Sequence, residues 1–270
     1  MTEAPIFIFG LGVALVFGLA IGSFLNVVIW RVPAGRSVVS PPSACTSCGT
    51  PIAPRDNVPV LSWLLLRGRC RRCETSISAR YPVVEAVTGI AFVLVIVGAS
   101  VPAYPLAFAL PLLYFVAMSI ALALIDLDTH TLPNKIVLPS YLAVAGLLVI
   151  ASALEADWVR LLTAALGMIV LFGFYFLLAM ISPRGMGFGD VKLAGVIGML
   201  LGWLGWAALV VGGFSAFLLG GVFSILLIAA KRVHRKGGIP FGPWMIAGAF
   251  VGVAVGDPLI EWYLSSIGIR

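Results

Sequence analysis

Residues 159–193 read VRLLTAALGMIVLFGFYFLLAMISPRGMGFGDVKL, and their reading decides the fold. The run 161–181 is apolar and long enough to cross a bilayer as a helix, which takes roughly 18–20 residues. A short polar break ends at Asp190, and another apolar stretch, 193–230, follows at once. An acid at the edge of hydrocarbon is costly and by default marks a functional site. Asp126 closes the apolar stretch 105–125 in the same way. Two such acids suggest paired-carboxylate chemistry.

The rest of the chain has the same character. Of its 270 residues, 61% are hydrophobic and 10% charged, whereas soluble domains carry about 25% charged residues. A soluble core of this length cannot hide so much apolar surface. Alternating strands of about ten residues, which a membrane barrel needs, are absent. The fold class is therefore an all-α polytopic membrane protein. Eight spans are expected, near 5–30, 83–100, 104–126, 136–153, 159–181, 190–202, 204–230 and 241–264. The sixth is short. It is a tilted or partly re-entrant segment, or it merges with the seventh through Gly202-Trp203-Leu204-Gly205, which would leave seven spans. The first stretch follows no basic n-region and has no small-residue cleavage site before Arg31, so it is read as a retained helix.

The formal charge is +6. With the N-terminus outside and eight spans threaded, segments 31–82, 127–135, 182–192 and 231–240 lie inside. They hold 15 of the 17 Lys and Arg residues, leaving Arg160 and Arg270 outside. Arg184, Lys231, Arg232, Arg235 and Lys236 are among the inside bases. Losing the sixth span would move 231–240 across, so the positive-inside rule favours eight. The basic balance thus reflects membrane orientation and does not call for nucleic acid. The same threading puts Asp126 and Asp190 on one face, at the cytoplasmic ends of spans three and six.

Three parts follow: 1–30 as a first transmembrane helix, 31–82 as a cytoplasmic tetracysteine domain, and 83–270 as a helical transmembrane domain carrying both acids. The second part is rich in Pro, Arg, Ser and Cys, and is too short for a large core. Cys45-x-x-Cys48 and Cys70-x-x-Cys73 account for every cysteine. Four thiolates in a tetrahedron suit a structural zinc and leave no open position for catalysis. Two disulfides are the alternative in an oxidising compartment, and a redox role for either pair is a minor one. Neighbouring Arg67, Arg69, Arg71 and Arg72 are expected to favour thiolate over thiol.

Two acids brought together cannot both ionise cheaply, so the pair shares a proton. The ionised member deprotonates a water, and the neutral member protonates or polarises a peptide carbonyl. This chemistry needs no cofactor. Gly187 and Gly189 precede Asp190 in the string Gly187-Phe188-Gly189-Asp190. Glycine lets backbone approach a ligand closely and adopt positive φ, so both are substrate-positioning candidates. Lys192 is a third, or else a snorkelling topology anchor. Glu85 is a fourth, or else a helix cap or the partner of an arginine. Asp128 stands two residues from Asp126 and would point about 200° away on a continuing helix. It is read as a solvated loop or cap residue, with the catalytic role as the alternative. His130 is read as exposed.

The order of several short motifs resembles the type IV prepilin peptidases, the leader peptidases of type IV pili and type II secretion. They are Gly22-Ser23-Phe24-Leu25-Asn26 with Arg31-Val32-Pro33, the two CxxC pairs with Ser62-Trp63-Leu64, and Arg80-Tyr81-Pro82-Val83-Val84-Glu85. Then come Asp126-Leu127-Asp128 with Leu132-Pro133-Asn134, the Gly187–Leu193 stretch, and Ile239-Pro240-Phe241-Gly242-Pro243. The resemblance implies a GxGD aspartic protease of the bacterial inner membrane that removes a basic leader after a glycine. It makes 83–270 the peptidase domain, with Asp126 and Asp190 as its catalytic aspartates. Many such proteins also methylate the new N-terminus with S-adenosylmethionine, typically those with the tetracysteine loop, so both activities are expected. No methyltransferase motif stands in the chain. Gly-rich stretches such as 212–221 read as helix-packing residues. A peptidase without methylation, a proton-coupled transporter and a membrane scaffold are the alternatives. The transporter calls for mid-bilayer acids and an internal repeat. The scaffold leaves the two acids without a purpose.

Overall fold

The computed structural model describes residues 3–100, 104–182, 186–230 and 240–269. Nine α-helices lie among them: α1 Glu3–Arg31, α2 Leu61–Leu65, α3 Arg80–Ser100, α4 Ala109–Thr129, α5 Asn134–Leu154, α6 Val159–Ile181, α7 Phe188–Leu204, α8 Trp206–Ala229 and α9 Gly242–Ser266. Among the described residues there is no strand, only two isolated bridges in the cysteine loop. The eight expected spans correspond to the eight long helices, α1 and α3 through α9. Seven of these, all but α7, are long and apolar enough to cross a membrane. This is a multi-pass membrane protein. Of the bases placed inside, Arg184, Lys231, Arg232, Arg235 and Lys236 lie outside the described residues, as does Ile239.

The merger of α7 and α8 does not occur. Gly205 separates them with φ 141° and ψ 176°, a backbone that a side chain would strain. At 17 residues, α7 is about 25 Å long, short of the roughly 30 Å hydrocarbon core. It need not meet lipid on any side, because Val191 and every residue from Leu193 to Trp203 are buried.

The chain divides into two compact units: residues 1–101 with 116–121, and residues 102–115 with 122–270. In the first, α1 and α3 run antiparallel and close together. A Cβ at Gly18 would stand 2.8 Å from Gly89 Cα, and one at Gly22 would stand 2.7 Å from Glu85 Cα. The cysteine loop joins these two helices.

In the second unit, α7 packs against α5, α6, α8 and α9. Gly167 of α6 and Gly198 and Gly202 of α7 bring the two backbones into contact, the small-residue device of membrane helix pairs. The glycines of 212–221 serve packing in part, as expected: Gly212 faces Gly248 and Gly252 of α9, and Gly220 faces Phe241 and Trp244. One end of α7 is fixed by Trp203. Its indole donates to Ser152 Oγ at 2.8 Å, its ring stacks on Phe108 at 5.1 Å, and Arg160 lies 4.6 Å above it. Asp190 is at the other end.

Candidate active site and cysteine centre

Asp126 occupies the last turn of α4 and is 5% exposed. A carboxyl buried this far needs a partner. Its Oδ2 accepts the amide of Gly242, the first residue of α9, at 3.2 Å. The turn after it is closed by His130, left-handed at φ 52°, whose amide donates to the Asp126 carbonyl at 2.8 Å. Asp128 and the His130 side chain are exposed, as expected. Burial therefore separates Asp126 from Asp128.

Asp190 is the third residue of α7. Its Oδ2 accepts the amide of the cap residue Gly187 at 3.2 Å. This is half of a capping box, since a glycine cap has no side chain to complete it. Each acid thus receives an N–H from the start of a helix, where the peptide dipoles leave partial positive charge. Leu132, between α4 and α5, links the two: it sits 3.0 Å from where a Gly189 Cβ would be and 3.4 Å from where a Gly242 Cβ would be.

The glycines do not take the positive φ expected of them. Gly187 has φ −74° and Gly189 is helical, so neither adopts positive φ. What matters at Gly189 is the missing side chain, which makes room for Leu132. Lys192 turns to α5. Its Nζ donates to Asn134 Oδ1 at 2.9 Å and lies 4.9 Å over the Phe188 ring. Tyr141 donates to the Lys192 carbonyl at 2.6 Å. Glu85 belongs to the first unit. It is the sixth residue of α3, past the cap positions, and its Oε2 accepts the Val60 amide at 2.7 Å.

Two residues near the acids had no sequence signal of their own. Gly242 was read only as part of a longer motif. Tyr175 of α6 is 1% exposed and packs against Phe217 and against Phe241, the residue before Gly242, at 5.4 and 6.2 Å.

The cysteine loop is built from two like turns. Cys45 and Cys70 amides donate to the Thr50 and Thr75 carbonyls at 2.9 Å, and the Gly49 and Glu74 amides donate back to the cysteine carbonyls. Gly49 and Glu74 are both left-handed, at φ 67° and 56°. The sequence signal was the shared pattern C-x-x-C-x-T-x-I at 45–52 and 70–77. The four sulfurs lie within 4.8 Å of one another, with Cys45 and Cys73 Sγ 3.7 Å apart. Sulfurs about 2.3 Å from a tetrahedral zinc lie about 3.8 Å apart, whereas a disulfide is about 2.05 Å long. All four cysteines are free, so the donor set fits one shared metal.

Arg71 plays a different part from the one expected, while Arg72 donates to the Thr50 hydroxyl at 3.4 Å. The Thr50 hydroxyl, the Cys73 amide and the Thr75 hydroxyl hold the thiols of Cys48, Cys70 and Cys73, respectively, below the usual range. Arg71 is instead engaged with Asp56, through contacts of 2.7, 2.9 and 3.0 Å.

Residues 16–99 match the bacterial Peptidase A24 N-terminal domain, and residues 113–228 match the type IV leader peptidase family. A protein of Aeromonas salmonicida (strain A449) is 37% identical over 281 residues, covering 93% of this chain and 92% of its own length. Relatives in Pseudomonas putida and Bacillus subtilis (strain 168) are 35% and 32% identical, each over 94% of this chain and over 94% and 98% of their own lengths. All three are called prepilin leader peptidase/N-methyltransferase. The chain belongs to the type IV leader peptidase family. No solved structure matches it. Within the family match, 113–228 contains both Asp126 and Asp190, while Gly242 lies beyond it. All four cysteines fall in the N-terminal match.

Proposed function

We propose that this protein removes the leader of type IV prepilins or type II secretion pseudopilins with Asp126 and Asp190, and then N-methylates the new terminus. The observation that carries the peptidase reading is the pairing of two acids, each held by a glycine amide, around Leu132. Family membership and the shared name of the relatives support both activities.

In this reading one carboxyl is ionised and takes a proton from a water. The water oxygen attacks the scissile carbonyl carbon, while the protonated carboxyl gives its proton to the carbonyl oxygen. Collapse of the tetrahedral intermediate breaks the C–N bond, and a carboxyl returns a proton to the leaving amine. The amides of Gly242 and Gly187 hold Oδ2 of each acid and fix where the other oxygen lies.

Cys45, Cys48, Cys70 and Cys73 would hold a structural zinc that ties the loop together. Four sulfurs leave it no open position for substrate. S-adenosylmethionine supplies the methyl group when bound. Among the glycines of 212–221, Gly212 meets α7 and α9, Gly213 meets Leu171 of α6, and Gly220 meets Phe241 and Trp244, so they serve helix packing and form no nucleotide loop. The active face is cytoplasmic and the membrane is the bacterial inner membrane, as the distribution of bases supports.

The test is to reconstitute the protein with a prepilin and with a pseudopilin and follow both by mass spectrometry. Loss of the leader followed by a gain of one methyl group, dependent on S-adenosylmethionine, is expected. An intact substrate in every arm rejects the reading. Cleavage without methylation leaves the peptidase alone.

A further inference from the structure

The short helix α2 is built with its polar side inward. Ser62 is buried; its hydroxyl donates to the Arg55 carbonyl and accepts the Val58 amide, each at 3.1 Å. Trp63 donates to the Ile77 carbonyl at 3.0 Å. The outward side carries Leu61, Leu64 and Leu65, spaced i, i+3, i+4 on one helical face. They are 58%, 57% and 82% exposed. An apolar stripe turned outward over a polar interior calls for an apolar neighbour.

The depth of α2 in the first unit says which neighbour. Val60, just before it, donates its amide to Glu85 Oε2 at 2.7 Å. Glu85 lies five residues into α3, about 7 Å along the helix from Arg80. Gly22 of α1 packs at the same level, about 13 Å along the helix before Arg31. Trp30 is 53% exposed with the Arg36 guanidinium 4.9 Å over its ring, an arrangement suited to the water–bilayer boundary. The start of α2 is therefore level with the first turns of a membrane helix, deeper than Trp30 and Arg31.

The backbone is held there against its preference. Val60 has φ 60° and ψ −51°, and Leu61 donates to the Pro59 carbonyl at 2.6 Å. That is a γ-turn with a β-branched centre, a strained form, and Glu85 fixes it. Arg67 and Arg69 follow α2 directly, and both are exposed.

We propose that α2 is an interfacial anchor: Leu61, Leu64 and Leu65 enter the acyl boundary of the bilayer, and Arg67 and Arg69 bind anionic lipid phosphates. It seats the cysteine loop on the membrane surface, as amphipathic interfacial helices with basic flanks do.

The test uses the full-length, zinc-loaded protein in nanodiscs of phosphatidylcholine with phosphatidylglycerol. Hydroxyl-radical footprinting reads Leu61–Leu65 against Val39, a residue of the same loop that is 87% exposed. Labelling several-fold below Val39, and similar to that of Leu94 in α3, is expected; labelling equal to Val39 overturns the proposal. A photoreactive benzoylphenylalanine in place of Leu65 identifies the neighbour. A lipid adduct supports the anchor, and a cross-link to a second copy of the chain contradicts it. The footprint on the unsubstituted protein decides if that variant does not fold.

Discussion

The amide of Gly242 donates to Oδ2 of Asp126 at 3.2 Å, across 116 residues of chain. A Cβ at position 242 would stand 2.7 Å from that same oxygen. The obstructed atom is the free end of a side chain, so it can move without unfolding the protein. Gly242→Ala is expected to keep its thermal stability while prepilin cleavage falls about 100-fold, as a displacement near 1 Å can cost. A folded variant with full turnover would show that α9 does not position the acid.

Lys192 gives the opposite expectation. Its ammonium is bound to Asn134 and sits over Phe188. Lys192→Met is expected to slow cleavage less than about tenfold, in line with the small energies of exposed charge contacts. A loss as large as that of an aspartate variant would place Lys192 in the chemistry.

Packing of α7 should tolerate little. At Gly202 a Cβ would meet Thr163 O at 2.5 Å and Gly167 Cα at 3.0 Å, both backbone atoms. Gly202→Val is expected to lower stability by about 3 kcal/mol or more, the upper range for overpacking. Thermal unfolding in detergent checks this, and an unchanged midpoint argues against the close α6–α7 contact.

The spans were readable because an apolar run of bilayer length has few other fates. The break at Gly205 was not. Gly202-Trp203-Leu204-Gly205 suits a continuing helix as well as a turn, and only tertiary packing sets φ at 141°. Asp126 and Asp190 stood out as charges in an apolar sequence, but preferring Asp126 to Asp128 needed the burial of one and the exposure of the other. Gly242 was hidden because its role depends on a contact 116 residues away. The bond from Val60 to Glu85 was hidden for another reason: a valine at positive φ runs against local propensity.

The cysteine centre predicts a metal count. Cys70→Ser is expected to lose the bound zinc and speed amide exchange across 44–77, with α5–α9 protected as before. A parent-like exchange pattern in metal-free protein would favour a loop that holds itself.

The loop has a second brace with its own pH dependence. Arg71 holds the Asp56 carboxyl below the usual range, through hydrogen bonds and then charge. A depressed folded value means the contribution is present above the unfolded pKa of about 3.9 and lost as pH falls through the folded one. Asp56→Asn is therefore expected to speed amide exchange around Arg71 at pH 7, and to make no difference in strong acid. Equal exchange at pH 7 would show that the ion pair does not brace the loop.

The most direct measurement is cleavage of a prepilin by the reconstituted protein and by its Asp126→Asn, Asp190→Asn and Asp128→Asn variants. Asparagine keeps the size and removes the acid. The two-carboxylate reading predicts that the first two lose cleavage by at least about 100-fold, while Asp128→Asn cleaves at close to the parent rate. Cleavage surviving in both Asp126→Asn and Asp190→Asn, with folding intact, would contradict it.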